Sequence, residues 1–280
     1  MITFALMSIK SKPNLETMNK IYGIITLPLV ALRADNSERS EMASQLLFGE
    51  CVEILETQDK WLKVKNLSDN YVGWVDRKMI EPFSLEALQM LQMNAQPFKV
   101  CVPLSQCWKK LSNEKVLLPA SSILWLNENN QCVFGCEKYD YNSTEIFVQT
   151  SQSDKQIIHY ARQFFNAPYL WGGKSILGID CSGLVQVVFS IIGIQLPRDA
   201  SQQVEIGTTI TSLQQAKTGD LAFFTNEEGR VVHVGILINN QQIIHASGWV
   251  KIEQIDANGI ISSSTKEYTH KLFAIRRILK

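Results

Sequence analysis

The sequence has no excess of charge of either sign. Its 280 residues include 27 basic and 27 acidic side chains, so the formal net charge is zero. Proteins that bind nucleic acid or anionic membrane surfaces usually carry a basic excess, and the balance therefore argues against both as partners. No apolar run approaches the roughly 20 residues that a membrane-spanning helix requires. We expect a globular protein that recognises its ligand through local contacts.

The N-terminus also lacks the features that direct export. Residues 1–20 form a leader whose apolar run, from Ile2 to Met7, has no positive region before it and no cleavage site after it. These features predict a cytoplasmic protein. The composition, with 45% hydrophobic and 19% charged residues, is typical of a globular fold, and the length allows two or three domains. We expect a monomer.

Cysteines are too few to indicate a disulfide scaffold. Six in a chain of 280 residues favour a reducing compartment. Cys101, Cys107, Cys132 and Cys136 invite comparison with a zinc site, but the pairs are separated by five and three residues rather than the two of a CxxC pair. We therefore expect neither a metal nor a cofactor.

Two regions before residue 150 show short apolar runs separated by polar turns. In residues 21–83, alternation such as Leu62 and Val64 against Lys63 and Lys65 predicts strands of a small barrel. Residues 96–150 repeat the pattern of short runs and predict a second small barrel. Between them, residues 84–95 carry leucines at helical spacing and predict a helical linker.

The remainder, residues 151–280, begins with helical patterns and ends with strand patterns. A helix is predicted over 154–165, with Ser153 or Asp154 as its cap. Strands are predicted over 219–224, 231–238, 242–247, 249–255 and 272–278. Helices followed by a run of antiparallel strands indicate an α+β domain.

Cys181 opens an almost wholly apolar segment that predicts a buried helix. Asp180 is a favourable N-cap residue, and the positive end of the helix dipole favours the thiolate form. Most lone cysteines are small hydrophobes in a core. The polar neighbours Asp180 and Ser182, with the glycine-rich approach before them, instead favour a nucleophile.

The chain has only four histidines to serve as a base. His159 and His270 lie in polar surroundings and are predicted to be solvated. His233 and His245 lie in apolar strands on either side of the turn at Asn239, which predicts that they are cross-strand neighbours. A cysteine nucleophile needs an imidazole base and a third group that orients it, and this pair can supply both.

The motifs around these residues resemble those of the NlpC/P60 family of papain-like cysteine peptidases. They are Pro168-Tyr-Leu-Trp-Gly-Gly173, Asp180-Cys-Ser-Gly183, Pro197-Arg-Asp-Ala-Ser-Gln202, Gly219-Asp-Leu221, His233-Val-Gly-Ile236 and Ile244-His-Ala-Ser247. In the first region, Leu47-Phe-Gly-Glu-Cys-Val-Glu-Ile-Leu55, Trp61-Leu-Lys-Val64 and Tyr71-Val-Gly-Trp-Val75 resemble a bacterial SH3 domain. The predicted α+β chain is thus a papain-like NlpC/P60 catalytic domain (151–280) preceded by two small SH3-like β-barrels (21–83 and 96–150).

The resemblance implies a role for each matching residue. Cys181 is the nucleophile, His233 is the general base and then the acid, and His245 orients His233. Tyr169 helps to shape the oxyanion site, to which the backbone N–H of Cys181 also contributes.

A peptidase domain joined to N-terminal SH3 domains is similar to γ-D-glutamyl-L-diamino acid endopeptidases of the dipeptidyl-peptidase VI type. This implies hydrolysis of the bond between γ-D-glutamate and the L-diamino acid in murein peptides with a free N-terminal L-alanine. The first barrel then closes one end of the cleft, and Asp180, Tyr71 and Glu41 are the expected acceptors for the amine. Ser182 and Ser201 are expected to bind the substrate's carboxylate or backbone.

Ordinary structural roles are also possible for three of these residues. Tyr71 can pack on Trp74, Glu41 can be a solvated turn charge, and Ser201 can cap a helix. At the level of function, the alternative enzyme is an exported hydrolase whose SH3 domains bind intact peptidoglycan. A catalytically silent wall-binding module conflicts with the complete Cys/His/His set, and an acyltransferase on the same fold stays open.

Overall fold

The structure is a computed structural model that describes residues 21–134, 137–147 and 152–279. The leader of residues 1–20 and Cys136 lie outside the described residues. Within them, no helix is long and apolar enough to cross a membrane.

The first region forms a seven-stranded antiparallel sheet. Its strands are β1 (Ile21–Ile24), β2 (Leu29–Arg33), β3 (Met42–Leu47), β4 (Cys51–Gln58), β5 (Trp61–Asn66), β6 (Val72–Asp76) and β7 (Glu81–Phe83). They are ordered β3-β2-β6-β5-β4-β1-β7. The alternation that predicted β5 is real, since Leu62 and Val64 are buried in the core of this sheet while Lys63 and Lys65 are partly exposed.

Helix α1 (Leu85–Asn94) lies at the predicted linker, and the side chain of Ser84 caps it by accepting the N–H of Ala87. The second sheet follows, with strands β8 (Ala95–Val100), β9 (Leu104–Lys109), β10 (Lys115–Pro119), β11 (Ile123–Asn127), β12 (Cys132–Phe134), β13 (Glu137–Tyr141) and β14 (Ile146–Phe147). Their order is β10-β9-β13-β12-β11-β8-β14. Position by position, this is the strand order of the first sheet.

The two sheets meet at the turn before β4. The N–H of Ile123 donates to the carbonyl oxygen of Phe48 over 2.8 Å, and Trp125 Nε1 donates to the carbonyl oxygen of Gly49 over 2.9 Å. Gly49 has a φ of +81°, and an added Cβ would lie 1.9 Å from the carbonyl oxygen of Ile123. Only glycine permits this approach of the two backbones.

The third region contains helices α2 (Asp154–Arg162), α3 (Cys181–Ile191) and α4 (Ala200–Gln203). Its strands are β15 (Lys174–Ser175), β16 (Gly178–Ile179), β17 (Thr208–Ile210), β18 (Leu221–Thr225), β19 (Val231–Leu237), β20 (Gln242–Ser247), β21 (Trp249–Ile255), β22 (Gly259–Ile261) and β23 (Tyr268–Arg277). Strands β18 to β23 pair in the order β23-β18-β19-β20-β21-β22, and β22 pairs again with β23. A six-stranded barrel is thereby closed.

Helix α3 is buried along its whole length, as its uniformly apolar sequence predicts. It packs in one cluster with Val234, Ile236, Ile244 and Ala246, which lie on the outer face of the barrel. Side chains alternate along a strand, so the intervening positions of β19 and β20 face the barrel interior. That interior contains a separate apolar cluster, with Leu237 and Ile243 among its members.

The predicted strand over 272–278 begins too late. Strand β23 starts at Tyr268, because its first residues pair with both β18 and β22: Lys271 lies opposite Thr225 and Gly259. The polar run before residue 270 conceals this extension, and β22 is too short to show a pattern. As a consequence, His270 belongs to the barrel.

The first sheet is joined to the third region by buried polar contacts. Lys174 Nζ lies 3.5 Å from Glu50 Oε1, and both side chains are buried. The backbone N–H of Lys174 donates to Gln45 Oε1 over 2.7 Å. Gly172, at a φ of +77°, lets the loop before β15 approach β3, since an added Cβ would lie 2.2 Å from the carbonyl oxygen of Met42.

Candidate active site

Cys181 is the first residue of α3 and is only 6% exposed. Its thiol accepts a hydrogen bond from the backbone N–H of Val234, the residue after His233. Burial, with the nearby Asp180 carboxylate, raises the pKa of Cys181 to about 11. Burial therefore acts against the thiolate that the helix terminus is expected to favour and shifts the resting cysteine toward the neutral thiol.

His233 and His245 are hydrogen-bonded neighbours, as the hairpin predicts. His233 Nε2 and His245 Nδ1 are 2.9 Å apart. On the far side of His245, its Nε2 lies 3.0 Å from Glu253 Oε2. Three strands, β19, β20 and β21, thus supply a continuous polar chain that is buried at every member.

Strand alternation explains why these three side chains meet. His233, His245 and Glu253 stand two or four residues from Leu237, Ile243 and Ile255, which face the barrel interior. Gly235 makes room between them, since a Cβ there would lie 2.9 Å from the Cβ of His245. The polar chain therefore lies inside the mouth of the barrel.

The electrostatics of this chain keep both imidazoles neutral. Burial, reinforced by the neighbouring His245, lowers the pKa of His233 well below its usual range. Burial also lowers the pKa of His245, although Glu253 opposes that effect. Burial would raise the pKa of Glu253, but hydrogen bonds from His245 and the N–H of Ser263 lower it to about 2. At neutral pH the chain holds one carboxylate and two neutral rings.

His270 is not the solvated residue that its polar surroundings predict. Its ring stacks on that of His233 with 4.2 Å between centroids and 28° between planes. It also contacts Phe224 edge to face. Burial and the nearby His245 lower the pKa of His270 to about 4. His159, by contrast, is exposed on α2, as predicted.

Asp180 is engaged by a buried arginine. Arg198 Nη2 lies 2.5 Å from Asp180 Oδ2, and Arg198 Nη1 lies 3.0 Å from Oδ1. The same carboxylate caps α3 through the N–H of Gly183 and accepts the N–H of Gly172. Ser182 Oγ accepts from Arg198 Nη1 over 2.9 Å. Asp180 and Ser182 are therefore committed to a network inside the protein.

The first sheet contributes to the same region. Ser44 Oγ accepts from Arg198 Nε over 3.0 Å. The Tyr71 hydroxyl is hydrogen-bonded to the carboxylate of Asp199, and burial with this carboxylate raises the pKa of Tyr71 to about 12. Glu41 also acts electrostatically on Tyr71, and its Oε1 accepts from Trp171 Nε1 over 2.5 Å.

The remaining predicted residues take different positions. Tyr169 lies beside the thiol, since burial and the nearby Cys181 raise the pKa of its hydroxyl. Ser201 is exposed in the first turn of α4, where Asp199 occupies the N-cap position. Ser201 is therefore not the cap of α4. Tyr71 does more than pack on Trp74, because its hydroxyl is hydrogen-bonded to Asp199.

Sequence reasoning missed four residues of this region: Glu253, Arg198, Asp199 and Trp171. Three of them stand inside the family motifs, where Arg198 and Asp199 precede the expected Ser201. The signal for Glu253 was its strand parity with Ile255, which places it on the same face as the apolar interior.

Two domain families match the chain. The pattern of the NlpC/P60 family matches residues 166–276, and that of the bacterial dipeptidyl-peptidase Sh3 domain matches residues 32–80. The first match contains Cys181, His233, His245 and Glu253. The second contains Glu41 and Tyr71.

Curated relatives extend this similarity over most of the chain. A gamma-D-glutamyl-L-lysine dipeptidyl-peptidase of Bacillus subtilis is 29% identical over 250 residues, which cover 84% of this chain and 80% of the relative. A protein of the same name from Bacillus cereus is 25% identical over 235 residues, covering 74% of this chain and 68% of the relative.

A solved structure shows the same fold. The crystal structure of an NlpC/P60 family protein from Bacillus cereus superposes with a TM-score of 0.79, at 19% identity, over 92% of this chain and all of that chain (100%). The chain therefore joins a bacterial dipeptidyl-peptidase SH3 domain to a cysteine peptidase domain of the NlpC/P60 family.

Proposed function

We propose that the protein hydrolyses the bond between γ-D-glutamate and an L-diamino acid in murein peptides that begin with a free L-alanine. The observation that carries this proposal is the meeting of Tyr71, from the first sheet, with Asp199, which adjoins the buried Arg198–Asp180 pair beside Cys181. We infer that these acidic and phenolic oxygens bound one end of the substrate cleft. Such a boundary suits a short peptide with a positively charged terminus.

Within this end of the cleft, Glu41, Tyr71 and Asp199 are the acceptors available to an ammonium group. Asp180 already accepts from Arg198 and from two backbone N–H groups. Its part in amine binding is therefore indirect: it holds Arg198, which precedes Asp199. Ser182 has the same supporting place, whereas the exposed Ser201 is left for the substrate's carboxylate or backbone.

The reaction follows from the neutral resting pair. His233 removes the proton from Cys181 Sγ as the sulfur attacks the γ-carbonyl carbon of the D-glutamyl residue. The backbone N–H of Cys181 and the Tyr169 hydroxyl stabilise the oxyanion. The protonated His233 gives its proton to the leaving amine of the diamino acid, so that a thioester remains. Water, deprotonated by His233, then hydrolyses the thioester and restores the thiol.

The second sheet belongs to this proposal as a second SH3-like domain. Its strand order repeats that of the first sheet. Its contacts fall on the turn at Phe48 and Gly49 of the first sheet and on helix α3, where Ser121 Oγ donates to Ser190 Oγ over 2.8 Å. This placement suits a brace between the first sheet and α3 more than a ligand-binding module.

The names of the two Bacillus relatives support the proposed bond and substrate class. We extend the proposal to a monomeric enzyme of cell-wall peptide recycling that meets free peptides in the cytoplasm. Cell fractionation and sedimentation of the purified chain test these two parts.

Digestion of matched substrates tests the activity. L-Ala-γ-D-Glu-L-Lys should be cleaved to L-Ala-D-Glu and lysine, its N-acetylated form should be cleaved far more slowly, and intact sacculi should release no peptide. Cys181→Ala should abolish cleavage while retaining the fold. Equal rates on the free and blocked peptides would remove the amine-binding proposal, and efficient release from sacculi would favour the exported hydrolase instead.

A further inference from the structure

The carboxylate of Glu253 lies two hydrogen bonds from His233, on a strand that carries neither histidine. Its Oε2 is 3.0 Å from His245 Nε2. Its Oε1 accepts the backbone N–H of Ser263 over 2.9 Å and the hydroxyl of Ser263 over 3.2 Å, and Lys251 Nζ lies 3.4 Å from the same oxygen. The side chain is 2% exposed, so these partners define its surroundings.

The hydrogen-bond partners determine which ring nitrogen carries the proton, first in His245 and then in His233. An ionised carboxylate only accepts hydrogen bonds, so His245 Nε2 must carry a proton. A neutral His245 then has a bare Nδ1, which must accept from His233 Nε2. A neutral His233 that carries its proton on Nε2 has a bare Nδ1. That nitrogen is the one that can take a proton from a thiol.

We propose that Glu253 is a positioning residue that fixes the tautomers of both His245 and His233, and so holds His233 as a base toward Cys181. The catalytic set is then a four-residue chain, Cys181–His233–His245–Glu253. This inference rests on the proposed peptidase function. It adds that a histidine in the third position orients the base only because a carboxylate first orients that histidine.

The alternative tautomers show what the carboxylate prevents. A neutral His245 has two equivalent choices, and with its proton on Nδ1 it would donate to His233 Nε2. The proton of His233 would then lie on Nδ1, and that nitrogen could no longer accept a proton from a thiol. Because both rings are neutral, nothing else in their shared hydrogen bond distinguishes the two arrangements.

Replacing Glu253 by glutamine should select the wrong arrangement. The N–H of Ser263 and the ammonium of Lys251 are both donors on the Oε1 side, so the amide oxygen is held there. The amide NH₂ group then points at His245 Nε2 and forces it to accept. Glu253→Gln therefore preserves shape and volume but inverts every proton in the chain.

We expect Glu253→Gln to lower kcat on L-Ala-γ-D-Glu-L-Lys by about 10²-fold or more, with KM changed little. The analogous change in a serine protease triad, aspartate to asparagine, gives the wrong histidine tautomer and costs about 10⁴-fold in kcat. The effect should be smaller here, because one more ring separates the carboxylate from the base. Glu253→Asp, which keeps the charge, should recover part of the loss.

Ser263→Ala is the matched control, since it removes one hydroxyl contact to Glu253 and leaves the backbone N–H and the carboxylate in place. It should keep kcat within about twofold. A kcat for Glu253→Gln within threefold of the wild type would overturn the inference. An equally large loss of kcat in Glu253→Gln, Glu253→Asp and Ser263→Ala would also overturn the inference, because that pattern indicates general damage to the fold.

Nitrogen NMR of histidine-labelled protein tests the tautomers without any variant or substrate. Long-range proton–nitrogen spectra of the wild-type chain should show His233 and His245 both protonated on Nε2, and both should change to Nδ1 in Glu253→Gln. A wild-type His245 protonated on Nδ1 would overturn the inference even if the variant failed to fold. Absence of murein-peptide cleavage by the wild type would count against the proposed function alone, since the tautomers are measured independently.

Discussion

Arg198 and Asp180 form a two-pronged ion pair inside the protein, with their closest atoms, Nη2 and Oδ2, 2.5 Å apart. Arg198 also donates to Ser44 of the first sheet, while Asp180 caps the helix that begins with Cys181. One buried ion pair thus connects the helix that carries the nucleophile to the first sheet. Residues of both domains therefore position the site.

Removal of the Arg198 guanidinium should therefore destabilise both the helix that carries Cys181 and the contact with the first sheet. Arg198→Met leaves the Asp180 carboxylate buried without its counter-ion, which typically costs about 3–5 kcal/mol in the free energy of unfolding. Arg230→Met is the control, because Arg230 and Glu228 form an exposed pair that contributes little. Urea titration of the three proteins measures the difference. Equal midpoints for Arg198→Met and the wild type would show that the pair does not hold the domains together.

Recognition of the free amine should depend on Glu41. Glu41→Gln keeps the acceptor for Trp171 but removes the charge, and we expect kcat/KM on L-Ala-γ-D-Glu-L-Lys to fall about tenfold, since a hydrogen bond to a charged group contributes about 1.5–3 kcal/mol and Glu41 is exposed. The same substitution should leave the slow cleavage of the N-acetylated peptide unchanged. Glu38→Gln, in the same turn between β2 and β3, alters an exposed carboxylate that pairs with Lys60 and should change neither rate. A parallel loss on both peptides would contradict a role in amine recognition.

Local pattern predicted much of the architecture, and long-range contacts supplied what it missed. The alternation around Leu62 and the apolar run after Cys181 each lie within one element, so one sequence window contains the whole signal. The pairing of His233 with His245 was also predictable, because a short hairpin joins their strands. Glu253 is on the next strand, where a charge between Lys251 and Ile255 looks like an ordinary solvated position.

Closure of the barrel could not be predicted from the sequence for a similar reason. The pairing of β22 with β23 depends on the three residues of Gly259–Ile261 and on polar residues near Tyr268, none of which shows a strand pattern. His270 reaches His233 only through this closure. The state of the Cys181 thiol likewise depends on burial, which exists only after the barrel and α3 pack together. The apolar sequence predicts that α3 is buried, but it does not predict how strongly burial acts on the thiol at its first residue.

The resting state of Cys181 has a direct chemical test. With a pKa of about 11, only about one thiol in 10⁴ is ionised at pH 7, so iodoacetamide should modify Cys181 slowly and about tenfold faster for each pH unit between 7 and 9. Mass spectrometry of the Cys181 peptide follows the modification, and Cys181→Ala gives the background from the other cysteines. Rapid modification that does not change between pH 5 and 8 would indicate a stable thiolate–imidazolium pair instead.

Acid should destabilise the fold through the buried histidines. The folded pKa of His270 is about 4 and that of the unfolded residue is near 6.5, so the unfolded chain binds more protons in that window. The free energy of unfolding therefore falls as pH decreases through the unfolded pKa near 6.5 toward the folded value. His233 and His245, whose pKa values are also lowered by burial, act with the same sign.

His270→Phe should reduce this loss, because it preserves the stack on His233 and removes one of the titrating groups. Between pH 7 and pH 5 we expect the variant to lose about 1 kcal/mol less of its free energy of unfolding than the wild type, which is below the roughly 1.8 kcal/mol of the full linkage because His270 is partly exposed. His159→Phe alters a histidine that is exposed on α2 and should follow the wild-type curve. Urea titrations at several pH values measure all three. If the curves of His270→Phe and the wild type run parallel, the pKa of His270 is the same in the folded and unfolded chains. Burial in the barrel would then not disfavour protonation of the stacked ring.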